Sequence, residues 1–106
     1  MTSDERGAAP IERLEATVRG RVQGVGFRWF AVRRAIELDL AGWVANDPDG
    51  SVRCVAEGPG EALELFEQAL RAGPTGAVVE TVVAVRMPGT GRLERFGIRS
   101  GGHPGD

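Results

Sequence analysis

The chain contains no lysine, and all 13 of its basic residues are arginine. A GC-rich genome produces such a bias, and whatever its source it excludes lysine chemistry. No Schiff-base lysine is available, nor a Walker-type phosphate loop, which needs its lysine. Histidine is nearly as scarce. His103 is the only one and lies in the terminal stretch SGGHPGD, where a solvated, idle side chain is expected, so histidine acid–base catalysis is not. The single cysteine, Cys54, cannot form an internal disulfide, and no Cys/His cluster has metal-site spacing. Because Cys54 alternates with Val52 and Ala56, a buried, inert thiol is predicted. No window approaches the apolar run of a membrane helix, and MTSDERGAAP lacks the core of a signal peptide. The expectation is a cytoplasmic protein that engages no membrane. A net charge of −2 and a pI near 5.4 point away from a protein whose main task is holding nucleic acid.

What is present describes one globular unit. A length of 106 residues with 42% hydrophobic and 26% charged content suits a single core. Residues 1–11 and 100–106 are polar or rich in Gly and Pro and are read as flexible tails, leaving 12–99 as the domain. In LEATVRGRV, alternation puts Leu14, Ala16, Val18, Gly20 and Val22 on one face and Glu15, Thr17, Arg19 and Arg21 on the other. Helical spacing then places Phe27, Phe30, Ala31, Ala35 and Leu38 on one stripe. AGWVAN and SVRCVAE are short strands joined by the turn signal DPDG. GPGEALELFEQALRAG is a helix with Pro59 at its first position, Glu61 and Glu64 at its positive end, Gly73 at its stop, and Leu63, Phe66 and Leu70 toward the core. AVVETVVAV is a strand whose valines do not alternate cleanly, and RFGIR is a last strand with Phe96 and Ile98 inward.

Two strand–helix–strand units in tandem predict an α+β fold, a ferredoxin-like split βαβ sandwich with an antiparallel sheet and two helices on one face. In it the first and second strands run parallel with the third between them. Their ends, at QGVGF and at Asn46, then sit on the order of 10 Å apart.

The stretch GRVQGVGFRWF enters its helix with no Ser, Thr, Asp or Asn to cap it. Gly24 and Gly26 give the turn backbone freedom, successive N–H groups there can form an anion nest, and the helix dipole adds positive potential. Arg28 can fork onto two oxygens of a phosphoryl group. A ligand anion in place of the cap fits these features. A tight turn followed by a surface arginine fits them too, and Asn46 alone reads equally as a turn residue satisfying local backbone groups. Trp43 reads as core or half-buried sheet surface.

Together, GRVQGVGFR, then GWVANDPDG, then EGP at the opening of the second helix resemble the acylphosphatase family, over roughly residues 13 to 99. The resemblance implies hydrolysis of the carboxyl–phosphate anhydride of acyl phosphates, without metal, cofactor or covalent intermediate. It implies that Arg28 and the amides of the loop Gln23, Gly24, Val25, Gly26 and Phe27 grip the phosphoryl group, and that Asn46 orients the attacking water. The expected partners are a small-molecule acyl phosphate and inorganic phosphate, the latter as product and inhibitor, with no nucleic acid. A monomer is expected.

Asp47, beside Asn46, has to point outward to spare an anion site, as consecutive strand residues do. Asp39 stands where the related pattern commonly has glycine. A second apolar stripe of Trp29, Val32 and Ile36 is expected to be partly covered by loops. Two other functions share this shape. One is an RNA-binding module, although Glu15, Thr17, Arg19 and Arg21 do not make the aromatic sheet face of such readers. The other is an acylphosphatase-like domain serving a larger, carbamoyl-phosphate-handling maturation enzyme.

Overall fold

A computed structural model of the chain describes residues 10–99. His103 and the remainder of the C-terminal stretch lie outside the described residues, as do positions 1–9. The elements run β1 (Ile11–Arg21), α1 (Phe27–Glu37), β2 (Ala41–Asn46), β3 (Val52–Pro59), α2 (Gly60–Ala72), β4 (Val78–Pro88) and β5 (Gly97–Ile98). Ile11, assigned to the N-terminal tail on composition, belongs instead to β1. It pairs with Pro59, and its carbonyl accepts the Gly89 N–H at 2.9 Å.

The sheet order is β4-β1-β3-β2-β5, antiparallel except for the β2–β5 pair. With β3 antiparallel to both neighbours, β1 and β2 run parallel and end at one edge of the sheet. Leu14, Ala16 and Val18 of β1, Val44 of β2, and Val52, Cys54 and Ala56 of β3 form one face. Against it pack Phe27, Ala31, Val32 and Ala35 of α1 and Leu63, Phe66 and Leu70 of α2. This is the ferredoxin-like α+β sandwich. Burying each large side chain contributes about 1.5–3 kcal/mol. Burial also pushes the Cys54 thiol up well above its ordinary range, so it stays protonated.

Several packing details differ from the sequence expectations. Val32 faces the core, whereas Trp29 and Ile36 of the same stripe are exposed. Val32 follows Ala31 by one helical step, so a slightly wider apolar stripe takes it in. Ile98 is exposed while Phe96 is buried edge-to-face against Phe66 at 5.7 Å. Pro59 closes β3 and precedes the first turn of α2 in extended conformation, so α2 starts one residue later than expected. Trp43 is half-buried, with the Arg99 guanidinium 4.5 Å from its ring centroid.

The irregular valines of β4 have a cause. The register against β1 jumps between Arg19↔Thr81 and Gly20↔Val79, leaving Glu80 as a bulge. Val79, Val82 and Ala84 therefore all reach the core, three and then two residues apart. Gly20, at φ 133°, makes the bulge possible, because a Cβ there would strike the Val78 carbonyl.

The end of α1 explains Asp39. Leu40 N–H donates to Ala35 O at 2.9 Å and Asp39 N–H to Ile36 O at 3.0 Å, a Schellman closure with Asp39 left-handed at φ 58°. Across the sheet, buried Glu57 accepts from Arg13 Nη1 (3.0 Å), Thr90 N–H (3.0 Å) and Gly91 N–H (2.8 Å), pinning the chain after β4. Burial alone would raise the Glu57 carboxyl pKa. The donated hydrogen bonds outweigh it and hold the group below its ordinary 4.5.

Two outcomes follow for stability. Asp39→Gly should stabilise the protein by about 0.5–1 kcal/mol in urea unfolding, since glycine carries no left-handed penalty and the substitution removes a negative charge from a helix C-terminus. Glu57 titrates lower folded than unfolded, so its stabilisation is complete above pH 4.5 and is lost as the pH falls through its folded pKa. Urea midpoints measured from pH 7 to pH 3 should decline less steeply in Glu57→Gln than in the parent.

Candidate active site

Parallel β1 and β2 deliver Val22 and Asn46 to the same edge, and the chain turns there into α1 through a tight bend at residues 23–26. Gly24 (φ 75°) and Gly26 (φ 79°) are both left-handed, and Gly26 is the N-cap of α1. Among the described residues no side chain caps this helix, and its first turn holds no acidic residue. Its first intrahelical bond runs from Phe30 N–H to Gly26 O at 3.0 Å. The N–H groups of Phe27, Arg28 and Trp29 precede that bond and have no partner within the helix. Neither Gly24 nor Gly26 would bring an added Cβ within 4 Å of another group, so the space beside the turn is open.

That space is a cleft of about 160 Å³ lined by Val22, Gly24, Gly26, Phe27, Arg28, Trp29 and Asn46. Arg28 and Asn46, 18 positions apart in the chain, thus share one wall system. Asn46 Oδ1 is buried and makes no hydrogen bond. A buried acceptor left unsatisfied costs about 1–3 kcal/mol and marks a place where a donor belongs. Arg28 is half-buried at the helix start. Asp47 does not line the cleft, as strand alternation requires.

The remaining loop residues serve differently. Gln23 does not line the cleft. Its Nε2 donates to Asp47 O (2.8 Å) and Ser51 O (2.9 Å), tying the glycine turn to the β2–β3 turn. Val25 is half-buried and packs on the core, and the Phe27 ring is wholly buried, edge-to-face with Phe30 at 5.9 Å. Both anchor the loop from below, leaving their backbone as the part available to a ligand. The β2–β3 turn is itself stiffened. Asp47 N–H donates to Ser51 O at 2.9 Å, and Asp49 accepts from Ser51 N–H (2.9 Å), Ser51 Oγ and Arg19 Nη1 (2.9 Å). The Ser51 bonds first, then Arg19, hold the Asp49 carboxyl well below the usual carboxylate range. Two features here escaped the sequence reading. Trp29 lines the cleft, whereas the sequence places it only in a loop-covered apolar stripe, though its position next to Arg28 is a signal, and no local pattern announces the pair of hydrogen bonds from Gln23.

The arrangement offers a compact oxyanion helix-start amides and a guanidinium, and it offers the Asn46 carboxamide oxygen to a hydrogen-bond donor. The family model described as Acylphosphatase matches residues 14–98. The chain is 50% identical over 88 residues to an acylphosphatase of Salinibacter ruber, covering 83% of this chain and 93% of that one. It is 60% identical over 72 residues to that of Thermus thermophilus, covering 68% and 82%. The crystal structure of acylphosphatase from Bacillus subtilis superposes with a TM-score of 0.80 at 39% identity, over 83% of this chain and 98% of that one. With the family model, the sequence relatives and the fold in agreement, the chain belongs to the acylphosphatase family, hydrolases acting on acyl phosphates.

Proposed function

We propose that the phosphoryl group of an acyl phosphate sits at the start of α1, held by the N–H groups of residues 23–28 and forked by Arg28, while Asn46 positions the water that attacks it. The observation that carries this reading is the buried, unsatisfied Asn46 Oδ1 on the cleft that Arg28 also lines. A water donating to Oδ1 satisfies that acceptor and turns a lone pair toward phosphorus. Helix dipole and guanidinium meet the dianionic phosphoryl group with positive potential.

In the reaction the water oxygen bonds to phosphorus and the phosphorus–acyl oxygen bond breaks, its electron pair leaving with the carboxylate. Both protons of the water end on the phosphate. The leaving carboxylate is the base of an acid with pKa about 4, so it departs without a general acid. The protein supplies positioning and charge neutralisation for a loose transition state. Gln23 is a positioning residue in this scheme: through Asp47 O and Ser51 O it holds the amide cradle at a set distance from the strand end that carries Asn46.

Hydrolysis of benzoyl phosphate, followed by its ultraviolet absorbance with a chelator present, tests the assignment. Arg28→Ala should abolish activity through lost phosphate binding, and Arg28→Lys should recover little of it because an ammonium lacks the fork. Asn46→Ala should keep phosphate affinity and lose about a hundredfold or more in kcat; full-rate turnover by this variant would remove the water-positioning role. Inorganic phosphate should inhibit competitively and raise the melting temperature of the parent. For Gln23→Ala, kcat should fall about tenfold with a smaller change in the phosphate inhibition constant. Equal changes in both would assign Gln23 to binding instead.

A further inference from the structure

Trp29 stands out among the cleft walls. Val22 and Phe27 are each 1% exposed, their side chains spent on the core, whereas Trp29 is 68% exposed. An indole left this open to water is uncommon for so large an apolar side chain. It does not belong to a continuous apolar face, because Val32 beside it is sunk in the core and Ile36 lies about 10 Å further along the helix. Its immediate surroundings are the site itself.

We infer that Trp29 is the platform on which the acyl half of the substrate rests, so that the enzyme favours acyl phosphates with aromatic or bulky apolar acyl groups over acetyl-sized ones. The inference rests on the phosphoryl site proposed above. In-line displacement puts the acyl oxygen on the side of phosphorus opposite the attacking water. With that water on Asn46, the acyl group leaves the cleft past the other walls, which are glycine backbone, Arg28 and Trp29. The indole alone among these offers an exposed apolar face, and aromatic faces attract planar groups in offset or edge contact beyond simple area burial. The phosphoryl contacts are common to every acyl phosphate. Discrimination between acyl groups therefore falls to Trp29, which follows Arg28 directly on the first turn of α1.

The test compares kcat/KM for benzoyl phosphate and acetyl phosphate in the parent, Trp29→Ala and Trp29→Phe. The benzoyl-to-acetyl ratio should fall about fivefold to tenfold in Trp29→Ala, mostly through KM for the benzoyl substrate, and Trp29→Phe should restore most of it. The rise in melting temperature caused by inorganic phosphate should persist in Trp29→Ala, showing the variant folded with its phosphate site intact. An unchanged ratio in that folded variant, or an equal loss on both substrates, overturns the inference. Arg28→Ala run alongside separates the two readings. If it hydrolyses acetyl phosphate at the parent rate, the phosphoryl site is misplaced and takes the Trp29 role with it. If Arg28→Ala is inactive and the ratio does not move, Trp29 alone is wrong.

Discussion

The first N–H groups of α1 lie ahead of the helical hydrogen-bond ladder, and among the described residues no side chain caps the helix. Elsewhere in proteins such groups are capped, since an unmet donor costs about as much as a lost hydrogen bond. Here the turn that feeds the helix is built from Gly24 and Gly26 in left-handed conformation, which leaves open space where a side chain would otherwise stand. The stability forgone at this junction is small beside the burial of Phe27, one residue on, which fixes the helix to the core. The end proposed to accept an anion is thereby anchored to the core by the hydrophobic effect. The chemistry proposed for it depends on that rigidity, because the site has no histidine, lysine or metal-ligand cluster among the described residues to take part in the reaction.

Rigidity is reinforced across the sheet edge. Gln23 spans from the glycine turn to two carbonyls of the β2–β3 turn, and Asp49 locks that turn through Ser51 and Arg19. Both ends of the site are therefore braced by hydrogen bonds that leave the cleft unobstructed. Glu57 and Arg13 perform an equivalent task at the far end of the sheet, where they gather the chain after β4. Charge in this acidic protein is thus used locally: the carboxylates of Asp49 and Glu57 satisfy backbone and arginine donors away from the cleft that Arg28 and Asn46 line.

Much of this was legible residue by residue. Alternation in LEATVRGRV places Leu14, Ala16 and Val18 inward, and they are buried; the stripe of Leu63, Phe66 and Leu70 is buried as well. The missing cap at Phe27 and the left-handed tendency of Asp39 follow from residue type alone, and the backbone angles agree. The facing of β4 was not legible, because the bulge at Glu80 depends on how β1 pairs with it. Ile98 looked inward by alternation from Phe96, yet β5 is only two residues long and its end is exposed. Val32 and Trp29 were assigned to one stripe because both lie off the Phe27 line. Their opposite fates turn on about a 60° difference in direction around the helix, which only the packed sheet resolves.

The sequence by itself determined the main elements and the uncapped glycine turn with its arginine, since each of these depends on residues near one another in the chain, while the chemistry of that turn came from the resemblance of its motifs to a family. Tertiary structure alone decided that Asn46 Oδ1 would be buried without a partner on the same cleft, that Gln23 would brace one turn against another, and that Trp29 would stand open beside the site. The physical reason is range. Local propensities and capping act between near neighbours in the chain, whereas these contacts exist because β3 inserts between β1 and β2 and brings distant strand ends to one edge.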